Sequence, residues 1–560
     1  MTLREEVAPL IKGEALDDES TRIAYSHDTS IFERKPSLVV FPKDVEDVSA
    51  IVRYARDARA AGKEISIAAR SAGTDMTGGP LTDSIALVFT KYMNRIVKVE
   101  RDEATVEPGT YYRDFEKATL AKSHMLLPSY PASRELAALG GMIGNNSGGE
   151  LTLRYGQTRR YVRELEVVLS DGSEATFKPL SMEELAEKKK LQTLEGEIYR
   201  KIHALIQYNE AEIAAARPNV SKNSAGYDLW DVVKRPSTKL GTGGTFDLTQ
   251  LITGSQGTLG IVTRATLGLV KLPKHRAMLV IFLSDLEKLP EIVLRVLQYE
   301  PESFESYDDQ TFRLAVRFLP QILRHFGALG MLKLAFAFIP ELFLVVSGGV
   351  PKLVLMAEFA EDSEERARAK AREAREALAD LGVQTKLAKS ESAAAKYWTI
   401  RRESFSLLRK NLRGLHAAPF IDDLVVHPTD YPQFLPELND ILNRYSLIYT
   451  IAGHIGDADF HIIPLLDLGK ESSRQAIVEL EEKVYRLVAK YKGSITGEHN
   501  DGIVRTPYLP LMFSPRMIEL FAEVKKIFDP LGILNPGKKV AGTVENIRRS
   551  MITHSAVARA

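Results

Sequence analysis

The chain has 560 residues, more than one ordinary core holds, so two or three domains are expected. Its 44% hydrophobic and 26% charged residues suit a globular protein, and 74 Lys+Arg against 74 Asp+Glu leave no formal charge, which argues against broad electrostatic binding of nucleic acid. The absence of cysteine excludes disulfides, thiolate metal sites, cysteine-bound iron–sulfur clusters and cysteine-linked cofactors.

Residues 1–33 read as a short helical lead-in, and MTLREEVAPLIKGEALDDES has acids and no apolar run, so no signal peptide is expected. From Pro36 to about Leu272 strands alternate with helices. SLVVFP (37–42) is a strand, and 44–62 is an amphipathic helix with Asp44 as N-cap and Gly62 beyond its end. EISIAARSAG (64–73) is a strand entering a glycine loop, and 85–90 and 96–100 are further strands. LGGMIGNNSGGE (139–150) reads as a second loop, and 165–177 as a hairpin turning at Asp171-Gly172. Residues 181–217 are charged and helical, 234–249 form a polar loop, and 253–270 close this region. From about 277 a second, α+β domain follows, with strands in 277–285 and 352–362 and helices in 286–298 and 363–382. The expected division is a lead-in 1–33, a first domain 34–275, a second domain 276–510, a C-terminal segment 511–545 and a loose tail 546–560.

Chemistry concentrates late in the chain. GHIGDADFH (453–461) places His454 and His461 seven residues apart, and GEHNDG (497–502) follows with Glu498 and His499. His454 follows a glycine, and His461 opens an apolar strand, so a loop can turn both rings to one point. His454, His461 and Glu498 form a candidate two-histidine, one-carboxylate set with open positions, suited to Zn2+, Mn2+ or Fe2+. His499 is left as a base beside it, for a proton on a hydroxyl or water made acidic by the ion. Asp457 and Asp459 are candidates to orient the two rings, or are simply loop caps.

Three loops bring main-chain N–H groups within reach of an anion: 69–81, 139–149 and 253–262. None has the GxGxxG of a Rossmann site. The sequence nevertheless resembles the FAD-linked oxidase family, of the vanillyl-alcohol-oxidase or PCMH-type flavin fold, and within it the D-lactate and D-2-hydroxy acid dehydrogenase branch. The matching pieces include RSAGTDMTGG, LGGMIGNNSGGELTLRYGQTRRYV, KNSAGYDL, GSQGTLGIVTRATL, GHIGDADFH, GEHNDGIVRTPYL and FDPLGILNPGKK, spread over residues 36–540. The resemblance implies an α+β fold. A two-subdomain FAD-binding domain would be joined to a substrate domain with an antiparallel sheet, and a C-terminal segment would return to the flavin. By motif match, Arg70, Ser71, Ala72, Gly73, Thr74, Asp75 and Thr77 should hold the pyrophosphate. Pro131, Ser133, Gly140, Gly141, Gly144, Asn145, Ser147 and Gly148 should continue along the flavin. Gly257, Gly260, Ile261 and Val262 should approach the adenosine or diphosphate, and Asn535 and Lys538 the isoalloxazine.

The sequence departs from the family pattern in places. Ser71-Ala72 replace glycines, and Gln256 replaces an acid. Thr74 stands near the histidine to which some relatives link their flavin, so noncovalent FAD is expected. The resemblance implies that His499 is the general base and Arg401, in YWTIRRESF, the clamp for a substrate carboxylate. Arg402 is the runner-up, otherwise a solvated helix position. Hydride would pass from Cα to flavin N5, leaving a 2-keto acid. No lysine precedes Asp422-Asp423-Leu424, and Ile462 follows the second histidine where an Asn is usual. These changes favour D-lactate, or a bulkier apolar acid, over D-2-hydroxyglutarate. Asn500, in place of a glycine, is expected to narrow the site. A transferase like alkylglycerone-phosphate synthase is the alternative within the fold, as is a D-2-hydroxyglutarate dehydrogenase.

Residues 318–350 are apolar but interrupted by prolines, and shorter in each run than the roughly 20 residues needed to span a bilayer. They are expected to touch a membrane surface near a quinone pool. Arg313, Arg317, Arg324, His325, Lys333 and Lys352 would face anionic headgroups there. The competing expectation is a helical subdomain on the core or at the interface of a homodimer. The electron acceptor would be a quinone, a cytochrome or another non-oxygen acceptor. The expected location is the cytoplasm, peripheral on the inner face of the cytoplasmic membrane where the insert binds lipid.

Overall fold

The computed structural model describes residues 1–234, 244–309, 351–411, 414–445 and 447–555. The apolar stretch 318–350 and its flanking Arg313 and Arg317 lie outside the described residues, as do 235–243 of the polar loop and the last residues, 556–560. Among the described residues no helix is long and apolar enough to cross a membrane.

Short apolar runs separated by an amphipathic helix give a small sheet in which Leu38–Phe41, Ile85–Val88 and Ile67–Arg70 lie parallel in that order. The intervening helix Val45–Ala60 begins where the Asp44 side chain accepts the Asp47 amide. It ends just before Gly62, at φ +84°. The lead-in is not purely helical: Glu14–Leu16 pairs antiparallel with Leu38–Phe41. The buried Asp47 carboxylate draws it there by accepting the amides of Lys12 and Gly13.

A second, antiparallel sheet runs Ile96–Val99, Glu103–Val106, Ile261–Gly268, Val162–Val168, Glu174–Phe177. Its last two strands form the hairpin at Asp171-Gly172. The helices Leu194–Tyr208 and Pro515–Phe528 share its core, which brings residues after 510 back onto the first half of the chain. The glycine-rich run at 139–150 is not all loop, because Leu139–Asn145 is a short helix. Leu139, Met142 and Ile143 are its buried face, at helical spacing.

From His275 onward the chain builds a larger antiparallel sheet. Its order is Gln384–Leu387, His275–Leu283, Leu353–Glu361, Ser303–Asp308, Ile448–His454, Asp459–Leu466, His416–Ala417. Strand alternation divides its residues between two faces. Phe304, Phe460, Ile462 and Leu466 pack into a core shared with the helices Leu289–Leu297, Tyr431–Asn443 and Glu471–Lys490. Glu305, His461 and Ile463 point the other way, into a cavity. The segment expected as a loose tail is structured over its described residues. Val544–Ser550 is a helix, Ile547 and Met551 are buried, and Met551 bridges Phe32.

Candidate active site

A cavity of about 1290 Å³ runs between the two smaller sheets and the large one. Arg70, Ser71, Ala72, Gly73, Thr74 and Asp75 line it from the first loop. Pro131 and Ser133 line it from the segment before the second loop, Gly140, Gly141, Gly144, Asn145, Ser147 and Gly148 from the second loop, and Gly257, Gly260 and Val262 from the third. The amides of Ser71 to Asp75 meet no acceptor among the described residues, so a row of donors is left for an anion. A Cβ at Gly141, Gly144 or Gly257 would have its nearest protein atom at 3.8, 3.9 or 3.5 Å. These glycines keep cavity space open rather than relieve crowding, as a bound dinucleotide requires.

Four expected flavin contacts do not line the cavity. Thr77 is buried behind the first loop, its amide and hydroxyl both donating to Asp75 Oδ1 at 2.6 and 2.7 Å. Ile261 alternates with Val262 and faces the core of the parallel sheet. Asn535 donates to the carbonyls of Gly79 and Gln256, at 2.9 and 2.7 Å. Lys538 donates to the carbonyl of Leu81 at 2.6 Å. These residues brace the loops from behind. Gln256, in place of an acid, uses both ends of its amide. It donates to Asn145 at 3.3 Å and accepts the Gly502 amide at 2.9 Å, with Asp75 already supplying the carboxylate nearby. Asn500 does not narrow the cavity. It sits at φ +74° and donates to the carbonyls of Asn145 and Gly254, tying two loops together.

At one end of the cavity the structure brings His454, His461 and Glu498 together. One ligand atom from each, with one from Asp459, lies within 4.8 Å of the others. Glu498 Oε1 is 3.2 Å from His454 Nε2 and 3.7 Å from His461 Nε2. The His454 and His461 rings stand nearly perpendicular, centroids 5.1 Å apart. Their Nδ1 atoms are held from outside, His454 by Glu305 at 2.6 Å and His461 by Asp422 at 2.8 Å. Each ring therefore presents Nε2 inward beside a carboxylate, a donor set that fits a divalent ion. His499 stacks on His461 at 5.2 Å, with its Nδ1 3.2 Å from Asp422 Oδ2. Arg401, on the helix Glu391–Asn411, also lines the cavity, with Nε 3.4 Å from Glu305 Oε2. Arg402 is not merely solvated. It lines the cavity and pairs with Glu150 at 2.6 Å.

The electrostatics of this end are strongly coupled. Burial resists ionisation of Glu498, but Lys222 and the imidazoles overcome it and hold its pKa well below the carboxylate range. Burial alone would depress His454, yet the Glu305 carboxylate outweighs it and pushes the pKa up to about 10. His499 is likewise opposed by burial and raised to about 10 by Asp423 and Asp422.

The sequence left the roles of Asp457 and Asp459 open and gave no sign of several partners. Asp457 and Asp459 do not orient the histidine rings; they face the buried Lys222 ammonium at 3.6 and 3.2 Å. Lys222 also donates to Glu498 Oε2 at 3.0 Å. Asp423 accepts the amides of Glu498 and His499, at 2.9 and 2.8 Å, and fixes that loop. Lys222 and the Asp422-Asp423 pair lay inside recognisable motifs, KNSAGYDL and FIDDL, but Glu305 is one polar residue on a strand and had no local signal.

Comparison with known proteins bears on this geometry. The chain matches a family model described as FAD binding domain over residues 36–178. A second match, described as FAD linked oxidases, C-terminal domain, covers residues 272–539. It is 28% identical over 540 residues to a D-2-hydroxyglutarate dehydrogenase of Escherichia coli, which covers 94% of this chain and 50% of that protein. The chain thus spans about half the length of that relative. It is 26% identical over 534 residues to a probable mitochondrial D-lactate dehydrogenase of Danio rerio, over 94% of this chain and 89% of that one. A solved structure of p-cresol methylhydroxylase with substrate bound aligns over 96% of each chain, with a TM-score of 0.65 and 16% identity, a likeness of fold.

Proposed function

Because the chain belongs to the FAD-linked oxidases, with both an FAD binding domain and their C-terminal domain, we propose that it oxidises a D-2-hydroxy acid, D-lactate first among them, to the 2-keto acid. The cofactors in this reading are noncovalent FAD and a divalent metal, Zn2+, Mn2+ or Fe2+. The observation that carries it is the convergence of His454 Nε2, His461 Nε2 and Glu498 Oε1 on a cavity that the glycine loops also line.

When bound there, FAD would supply the acceptor for a hydride from Cα, and a divalent ion would supply acidity to the adjacent hydroxyl. The first-loop amides would hold the pyrophosphate, and His454, His461 and Glu498 the ion. Arg401, steadied by Glu305, would clamp the substrate carboxylate. His499 would take the hydroxyl proton at Nε2, its Nδ1 kept toward Asp422. Burial disfavours the protonated form of His499 while Asp423 and Asp422 favour it, and a cation held by the neighbouring ligands would act in the same direction as burial. A diacid would need a second cation in the cavity besides Arg401; Arg402, which also lines it, is paired with Glu150. The electrons pass on to a quinone, a cytochrome or another non-oxygen acceptor, and residues 318–350 would bring the protein to a membrane surface.

Anaerobic titration followed by flavin absorbance, with metal analysis of the same sample, tests the reading. Bleaching by D-lactate, lost on chelation and restored by the metal, is expected. Bleaching by D-2-hydroxyglutarate at a higher kcat/KM would move the substrate to the diacid, and no bleaching by either would reject the dehydrogenase.

A further inference from the structure

We propose that Ile552 and His554 form the outer end of the substrate pocket and set the length of side chain that the site accepts. The inference rests on the 2-hydroxy acid reading above and adds residues that follow the matched C-terminal domain, which ends at 539. Both residues line the same cavity as the candidate metal ligands.

The path between them follows one face of the large sheet. His461 and Ile463 share the cavity face of the strand Asp459–Leu466, and Ala417 pairs with Leu465 on the neighbouring strand. From His461 to the level of Ala417 is four residues of extended strand, about 13 Å. Beyond lie Leu415 and the His416 ring, which packs edge-on against His554 with centroids 6.1 Å apart. A three-carbon acid held at His461 fills only the inner end of this path. The remainder is walled by Ile463, Ala417, Leu415 and Ile552, and it ends at the two imidazoles. That is a surface for an extended apolar side chain, with a further methylene in contact worth roughly tenfold or more in kcat/KM.

The segment is held in place by specific bonds. The Glu33 amide donates to the Ser550 carbonyl at 2.8 Å, the Ile552 amide to the Ile31 carbonyl at 2.9 Å, and the Ser555 hydroxyl to Asp467 at 2.6 Å. Extended alternation then turns Ile552 and His554 to the cavity. Thr553 between them is exposed and does not line it.

The test uses the FAD-loaded full chain and reads the ratio of kcat/KM for D-2-hydroxyoctanoate to that for D-lactate. Shortening the pocket in Ile552→Trp is expected to lower the ratio by roughly tenfold. His554→Trp, a change at an exposed residue, is expected to lower it in the same direction, and Thr553→Trp to leave it unchanged. An unchanged ratio in both filling variants, with D-lactate still bleaching the flavin, overturns the proposal and leaves the dehydrogenase reading standing. An equal fall in Thr553→Trp overturns it too, since general disturbance of the segment would then account for the effect. If no 2-hydroxy acid reduces the flavin of the unsubstituted protein, the underlying reading fails and this one with it.

Discussion

His499 stands at the edge of the candidate metal cluster with its Nδ1 3.2 Å from Asp422 Oδ2, and Nε2 is the atom proposed for chemistry. His499→Ala is expected to lower turnover by roughly 10²–10⁴ with the flavin still bound. Near-normal turnover in rapid-mixing experiments would remove it from the mechanism. Lys222 is a different kind of residue. It is fully buried among Asp457, Asp459 and Glu498, so Lys222→Met leaves three acids without their cation. The expected cost is about 3–5 kcal/mol of stability, read from urea unfolding midpoints, and an unchanged midpoint would contradict this account. His454, His461 and Glu498 were legible in the sequence because histidine is scarce and their glycine-rich context is unusual. The pairings of Lys222 and Glu305 were not, because each meets its partner across a long separation, 276 and 149 residues, which leaves no periodic trace.

Elements show the same division. The strands and the helix Val45–Ala60 followed from apolar alternation, an N-cap aspartate and a terminal glycine, all local signals. The run at 139–150 was misread because glycines masked a helix whose apolar residues sit at 139, 142 and 143. That helix turns Gly140, Gly141 and Gly144 to the cavity. Gly144→Leu fills space that the cofactor would occupy without breaking the helix. The expected result is loss of flavin absorbance from the purified protein with an unchanged far-ultraviolet circular dichroism spectrum, and full flavin content would show that the cradle lies elsewhere. The C-terminal residues looked like a loose tail because their anchors, the backbone groups of residues 31–33, are more than 500 residues away in sequence.

At the scale of the whole molecule, the C-terminal return is held by the buried Lys538 side chain, bonded to the Leu81 carbonyl. Burial depresses the pKa of Lys538 from its ordinary 10.5 to about 7, with Arg34 adding to the effect. The sign follows from linkage: between those values the unfolded chain binds the proton and the folded one does not, so this group makes stability rise with pH. Below about 7 the ammonium is charged in both states, and its burial cost is fully present. Lys538→Met should therefore compare better with the parent protein at pH 6 than at pH 10, as read from melting temperatures. Equal differences at both values would show that Lys538 is not depressed. The amino-acid sequence by itself determined the local elements, the three glycine-rich segments and the His-His-Glu motif, because capping, alternation and residue chemistry act over a few positions. Tertiary structure alone decided which faces of those segments meet. It set Glu305 and Asp422 behind the imidazoles, moved Thr77, Ile261, Asn535 and Lys538 out of the cavity wall, and brought Ile552 and His554 into it. Those outcomes depend on sheet register and on the neutralisation of buried charge between distant segments, which no short stretch of sequence encodes.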